Sequence, residues 1–215
     1  MIKNWARPFL TVILLAALSV PGWAQDAKSI LNAAAKAMGT DNLKTLQYSG
    51  SGSSYDEKGQ HMVMSSYARQ MDLNATTTTV RLVRMQGTPP APQTVNQAMS
   101  ADSPWNVQFD FWLTPYGFMK GAMANDAAAE MKTVDGAPFR IVTFTLPNSH
   151  KVAGYINAMN LVERVEVRID NDVLIQGIYH DYEDFGGLKV PTVMVQRRSG
   201  ELAQVLIIKE AKPNS

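Results

Sequence analysis

Apolar residues at 27, 30, 31, 34, 35 and 38 recur with helical spacing and predict an amphipathic helix over 26–38. Asp26 is placed to cap its start, and Gly39 stands where such a helix stops. Lys28 and Lys36 fall on its polar side. After Gly39 the period changes from 3.6 to 2. Segments 46–55, 61–73 and 76–85 read as strands, the first rich in Gly and Ser, with a turn at Asp56-Glu57-Lys58-Gly59. In the third, Val80, Leu82 and Arg84 alternate against Arg81, Val83 and Met85. Pro89-Pro90-Ala91-Pro92 predicts a proline-rich loop.

The middle of the chain is dense in aromatic residues. Residues 105–113 (WNVQFDFWL) read as a strand, with Phe109, Phe111 and Leu113 on one face and Trp112 on the other. Thr114-Pro115 then supplies a cap followed by proline in a first turn. A short helix over 116–125 follows, its apolar side made by Phe118, Met119, Ala122 and Met123.

From residue 130 onward the pattern is that of an antiparallel meander. Its strands are expected at 130–134, 139–146, 151–157, 161–170, 174–183, 189–197 and 202–211. Turn residues separate them at Asp135-Gly136, Pro147-Asn148, Asp170-Asn171-Asp172 and Gly186-Gly187. Val165, Val167 and Ile169 alternate with Arg164, Glu166 and Arg168, so one face meets a core and the other meets water. Connections this short leave no room for crossover helices, which excludes parallel α/β architectures. The expected fold is α+β and mostly β: a curved antiparallel sheet of about ten strands, a half-open barrel, wrapped around one long and one short helix.

Ahead of this pattern lies a segment of another kind. Lys3 and Arg7 precede an apolar run over 9–20, and Pro21-Gly22-Trp23-Ala24 offers small residues for a cut after Ala24. The run is too short to span a bilayer and breaks at Pro21-Gly22. Residues 1–24 are therefore expected to be a cleaved signal peptide, and 25–215 a single domain delivered to the periplasm, with no transmembrane segment once the signal is gone. The chain has 20 Lys+Arg against 19 Asp+Glu. Losing Lys3 and Arg7 leaves 18 against 19, so no basic field exists to attract nucleic acid. Cysteine is absent, so no disulfide supports the fold and no acylated cysteine follows the cut; a lipid anchor is not expected.

Candidate chemistry is sparse. The chain has three histidines, His61, His150 and His180, too scattered for a zinc cluster. It has no nucleophile elbow, phosphate-binding loop or dinucleotide fingerprint. His180-Asp181-Tyr182-Glu183-Asp184 is its densest polar group, but a strand splits these side chains between two faces, which favours a solvated strand end over a metal site. In His61-Met62-Val63-Met64 the two thioethers share a face that His61 does not, so copper ligation is not expected either. Catalytic residues, metals and cofactors are accordingly expected to be none. What remains is the aromatic and methionine group Trp105, Phe109, Phe111, Trp112, Phe118, Met119 and Met123. It fills a core, or it lines an apolar cavity in which flexible methionine beside rigid rings accepts varied ligands.

Residues 112–122 (WLTPYGFMKGA), 156–166 (INAMNLVERVE) and 181–191 (DYEDFGGLKVP) resemble the amino-terminal region found ahead of the hydrolase domain in some exported metallo-β-lactamase-fold proteins. The likeness covers most of the chain after the signal. The Gly-Gly-x-Lys-x-Pro hairpin is also similar to those of Lol-type lipoprotein carriers (LolA/LolB-like), a more distant relation. That resemblance implies a half-open barrel around helices with an apolar cavity. The zinc motif of the hydrolases, His-x-His-x-Asp-His, is absent, so hydrolysis is not carried over. The resemblance implies a non-catalytic carrier for an acyl chain, lipid or lipoprotein, with the seven aromatic and methionine residues as its lining. The alternative is a free-standing interaction module that docks onto a separate exported enzyme or envelope protein, and a minor alternative is a hydrolase that uses Asp and His residues of this chain.

Overall fold

The computed structural model describes residues 22–56 and 58–215; residues 1–21, most of the expected signal peptide, lie outside them. Eleven strands form one antiparallel sheet around three helices. Helix α1 spans Gly22–Met38. Strands β1 (Thr45–Tyr55), β2 (His61–Asp72), β3 (Thr77–Gln86) and β4 (Ala91–Met99) follow as consecutive hairpins. Helices α2 (Trp105–Trp112) and α3 (Pro115–Ala124) come next. The chain then returns through β5 (Ala128–Val134), β6 (Ala137–Thr145), β7 (Lys151–Ile156), β8 (Val162–Ile169), β9 (Val173–Phe185), β10 (Leu188–Arg198) and β11 (Glu201–Pro213).

The strand order is β4-β3-β2-β1-β11-β10-β9-β8-β7-β6-β5, so the sheet is open, with β4 and β5 at its edges. One long-range pairing, β1 with β11, joins the two meanders. The segment between β4 and β5 must travel from one edge to the other. It crosses the concave face, where α2 touches β4 and β8 and α3 touches β6, β7 and β8.

The helix predicted at 26–38 is present and starts four residues earlier, at Gly22, so Asp26 lies inside it rather than at its cap. Ala27, Ile30, Leu31, Ala34, Ala35 and Met38 are all buried. Gly39 takes a φ of +73° and Thr40 N donates to Ala35 O at 2.9 Å, the closing bond of a left-handed helix end. A Cβ at Gly39 would stand 1.9 Å from Gly187 O, so the absence of a side chain also lets the helix end touch the β9–β10 turn.

Two further expectations are corrected. Residues 105–113, read as a strand, form α2 and a corner. Pro104 (φ −56°, ψ 153°) sets the chain for the first turn. Trp105, Gln108, Phe111 and Trp112 form the buried stripe at helical spacing. The apolar alternation 105, 107, 109, 111 satisfied a period of two as well, and packing against the sheet decided for 3.6. Thr114 then caps α3 as expected, its Oγ1 accepting from Gly117 N at 3.0 Å. The second correction lies in the proline-rich stretch, where Ala91 and Pro92 already belong to strand β4. Proline is tolerated there because β4 is an edge and needs donors on one side only. The expected curved antiparallel sheet wrapped around helices is present; among the described residues it has eleven strands and three α-helices.

The core fills the space between the helices and the concave face. Phe118 on α3 lies over Gly154 of β7, where an added Cβ would meet the ring at 2.2 Å. Phe118 also contacts Phe144 at 5.9 Å between ring centroids.

Candidate functional site

On the concave face of β2, Tyr67, Arg69 and Met71 point inward with the period of the strand, and all three are buried. Arg69 is opposed by Tyr48 on β1 and by Val80 on β3. A guanidinium at this depth needs a counter-charge. Helix α2 supplies it: Arg69 Nη2 is paired with Asp110 Oδ2, and Nη1 donates to the Asp110 carbonyl at 3.3 Å. Burial by itself would lower the Arg69 pKa. The Asp110 carboxylate, with the Tyr48 and Tyr67 hydroxyls, outweighs it and holds the group well above its ordinary value. Burial raises the Tyr48, Tyr67 and Tyr179 hydroxyls, so all three stay neutral donors and acceptors. The Tyr48 and Tyr67 hydroxyls lie against the guanidinium, and among the described residues Arg69 Nε has no acceptor at hydrogen-bond distance and angle.

Above this pair, between α2 and the concave face, lies a cavity of about 450 Å³. Leu82, Val107 and Phe109 give it one apolar side, while Arg69, Asp110, Asn106, Gln97, Gln196 and Gln204 make a polar side of similar extent. A smaller void of about 40 Å³ continues inward past Arg69 and Asp110 towards Tyr48 and Tyr179. The pair separates the two spaces. A second cavity, of about 440 Å³, lies beside α3 and is lined by Leu43, Leu73, Met119, Lys120 and Met123. Partial burial lowers the Lys120 pKa, and its Nζ donates to Thr76 Oγ1 at 2.7 Å. On the outer face a trough of about 560 Å³ runs across β11, β1, β2, β3 and β4, bordered by Gln70, Thr79 and Arg81, by Ala68, Ala98 and Ala211, and by the strand segments that carry Tyr48, Arg69 and Val80. The α2 cavity is the candidate site, because of the three large spaces it is the one with both members of the ion pair, Arg69 and Asp110, on its wall.

The seven residues named from the sequence separate into three groups. Phe109 lines the α2 cavity. Met119 and Met123 line the α3 cavity, Met123 being 49% exposed. Trp105, Phe111, Trp112 and Phe118 are packed in the core. Trp105 Nε1 donates to Arg168 O at 2.7 Å and its ring stacks on His150 at 4.1 Å, which ties the start of α2 to the sheet. Phe111 meets Trp112 edge-on at 5.0 Å. Sequence reasoning missed Arg69, Asp110, Gln196 and Gln204. A signal for Arg69 was present: it is a charge in the apolar phase of β2, between Tyr67 and Met71. Asp110 gave none, because 105–113 was read with the wrong period.

The polar groups set aside remain apart. His180, Asp181, Glu183 and Asp184 are exposed, and Tyr182 donates to Val162 O. His61 Nε2 lies 2.8 Å from Ser53 Oγ, while Met64 is buried in the core. Among the described residues no group of three His, Asp or Glu could hold a metal ion. No described helix is long and apolar enough to cross a membrane.

No family model matches the chain, and no curated protein matches its sequence. Solved structures do match its fold. A LolA superfamily protein from Nitrosomonas europaea superposes with a TM-score of 0.55 at 15% identity, over 88% of this chain and 94% of that one. A DUF1329 family protein from Desulfovibrio piger superposes with a TM-score of 0.52 at 12% identity, over 87% and 93%. The architecture of an open antiparallel sheet curved around helices is therefore LolA-like.

Proposed function

We propose that this chain is an exported, non-catalytic carrier that holds the apolar part of an acyl-chain ligand between α2 and the concave face of its sheet. One observation carries the reading: a cavity of about 450 Å³, apolar along Leu82, Met99, Val107 and Phe109 and polar on its other side, lies where the fold brings the helical crossover over the sheet. That volume falls in the usual range for small-molecule sites. Each buried CH₂ contributes roughly 0.8 kcal/mol, so chain length dominates affinity. The LolA-like fold supports the reading, and the signal-like residues 1–24 support a periplasmic place of work.

Native mass spectrometry of the protein taken from the periplasm, followed by organic extraction, tests it. The expected result is a chain beginning at Gln25 with near-stoichiometric bound lipid. A bare protein that, after delipidation, also fails to shift a fluorescent acyl probe removes the carrier reading.

A further inference from the structure

We infer that Arg69 is a seat for the carboxylate of a single-chain amphiphile, and that Asp110 occupies this seat until the ligand's carboxylate exchanges with it. The inference rests on the carrier reading of the same cavity and names its ligand class. Three observations carry it. The pair is asymmetric: the Arg69 side chain is 6% exposed and fixed in the middle of β2, whereas the Asp110 side chain is 36% exposed on a helix surface. Asp110 can be given up to water at little cost, and Arg69 cannot. The pairing is also incomplete. A carboxylate on the Nε/Nη2 edge of a guanidinium makes two parallel bonds, but Asp110 takes Nη2 with one oxygen, its carbonyl takes Nη1, and Nε is left without an acceptor. Finally, the residue borders space that a ligand can enter, although its Nε is itself buried until Asp110 withdraws. Arg69 lines both the large cavity and the void of about 40 Å³ behind it.

An incoming carboxylate would use the Nε/Nη2 edge, satisfy the orphan donor and keep the buried charge compensated. Its chain would lie along Leu82, Val107 and Phe109. The head group would thus be buried and the tail would run along the outer part of the cavity. Gln196 and Gln204 stand beside the same position as further donors.

Oleate and oleyl alcohol share a tail and differ only in the head, so their affinities at pH 8, measured by displacement of a fluorescent acyl probe from the delipidated protein, test the exchange. Wild type is expected to prefer oleate severalfold. In Asp110→Asn the internal competitor is gone, and the preference should rise by about tenfold with oleyl alcohol nearly unchanged. In Arg69→Met/Asp110→Asn, which removes the pair together and leaves no buried charge, oleate should lose its advantage. If Asp110→Asn does not fold, wild type against the double variant decides, since the oleate preference must be present in one and absent in the other. Equal binding of both probes in every folded protein overturns the inference while leaving the cavity reading intact. Failure of both probes to bind wild type removes the carrier reading itself.

Discussion

Phe109 and Phe111 lie two residues apart on α2, and the structure gives them opposite roles. Phe111 is 0% exposed and packed against Trp112, with Lys120 Nζ 6.0 Å from its ring centroid. Truncating a fully buried phenylalanine costs about 3–5 kcal/mol, from lost transfer energy and the cavity left behind. In a domain of this size each kcal/mol lowers Tm by roughly 2–4 °C, so Phe111→Ala should melt about 6–20 °C below wild type. Phe109 is only partly buried and faces the cavity. Its truncation should lower Tm by no more than a few degrees. If it removes roughly 50 Å² of ligand contact at about 25 cal/mol per Å², the loss is about 1.3 kcal/mol, close to tenfold in Kd. Circular dichroism melts and acyl-probe titrations of the two purified variants measure both quantities. An Phe109→Ala protein that melts as low as Phe111→Ala, or that binds the probe as wild type does, would refute this division of α2 into a core side and a cavity side.

Other outcomes follow from the same packing. Gly154→Ala places a methyl against the Phe118 ring, which Phe144 holds from another side; about 1–3 kcal/mol of destabilisation is expected, read as a lower Tm with probe affinity unchanged in the folded protein. Asp110→Ala strands the buried Arg69 charge and should cost about 2–3 kcal/mol, more than Arg69→Met, which leaves a carboxylate already partly in water; chemical denaturation of the two variants ranks them. Tyr155 is pushed up to about 12 by burial first and then by the Glu166 carboxylate it donates to. Its folded pKa lies above the unfolded value near 10, so its contribution is complete below pH 10 and is lost as pH rises to 12. Urea midpoints across that window should fall less steeply for Tyr155→Phe than for wild type.

Much of the fold was legible because local periodicity encodes it. The alternation Val165, Val167, Ile169 marked the buried face of β8, and turn residues such as Asp135-Gly136 marked the hairpins of the second meander. Helix α1 carried a clean stripe ending in a glycine that both the φ and the contact with Gly187 require. The errors fell where two periods fitted the same residues, at 105–113, and where an edge position made proline compatible with a strand, at β4. The site was legible only at Phe109, since burial as core and exposure to a cavity draw on the same residue types.

The sequence by itself therefore determined the strands and the capped helices, because each is a pattern repeated within a dozen residues. Tertiary structure alone decided the rest. The β1–β11 pairing joins segments near opposite ends of the described chain, and it fixes where the helical crossover must run. That crossover sets Asp110 on Arg69, 41 residues away in sequence. No local period links the two; they meet because a buried guanidinium needs a counter-charge and the segment from β4 to β5 passes over it.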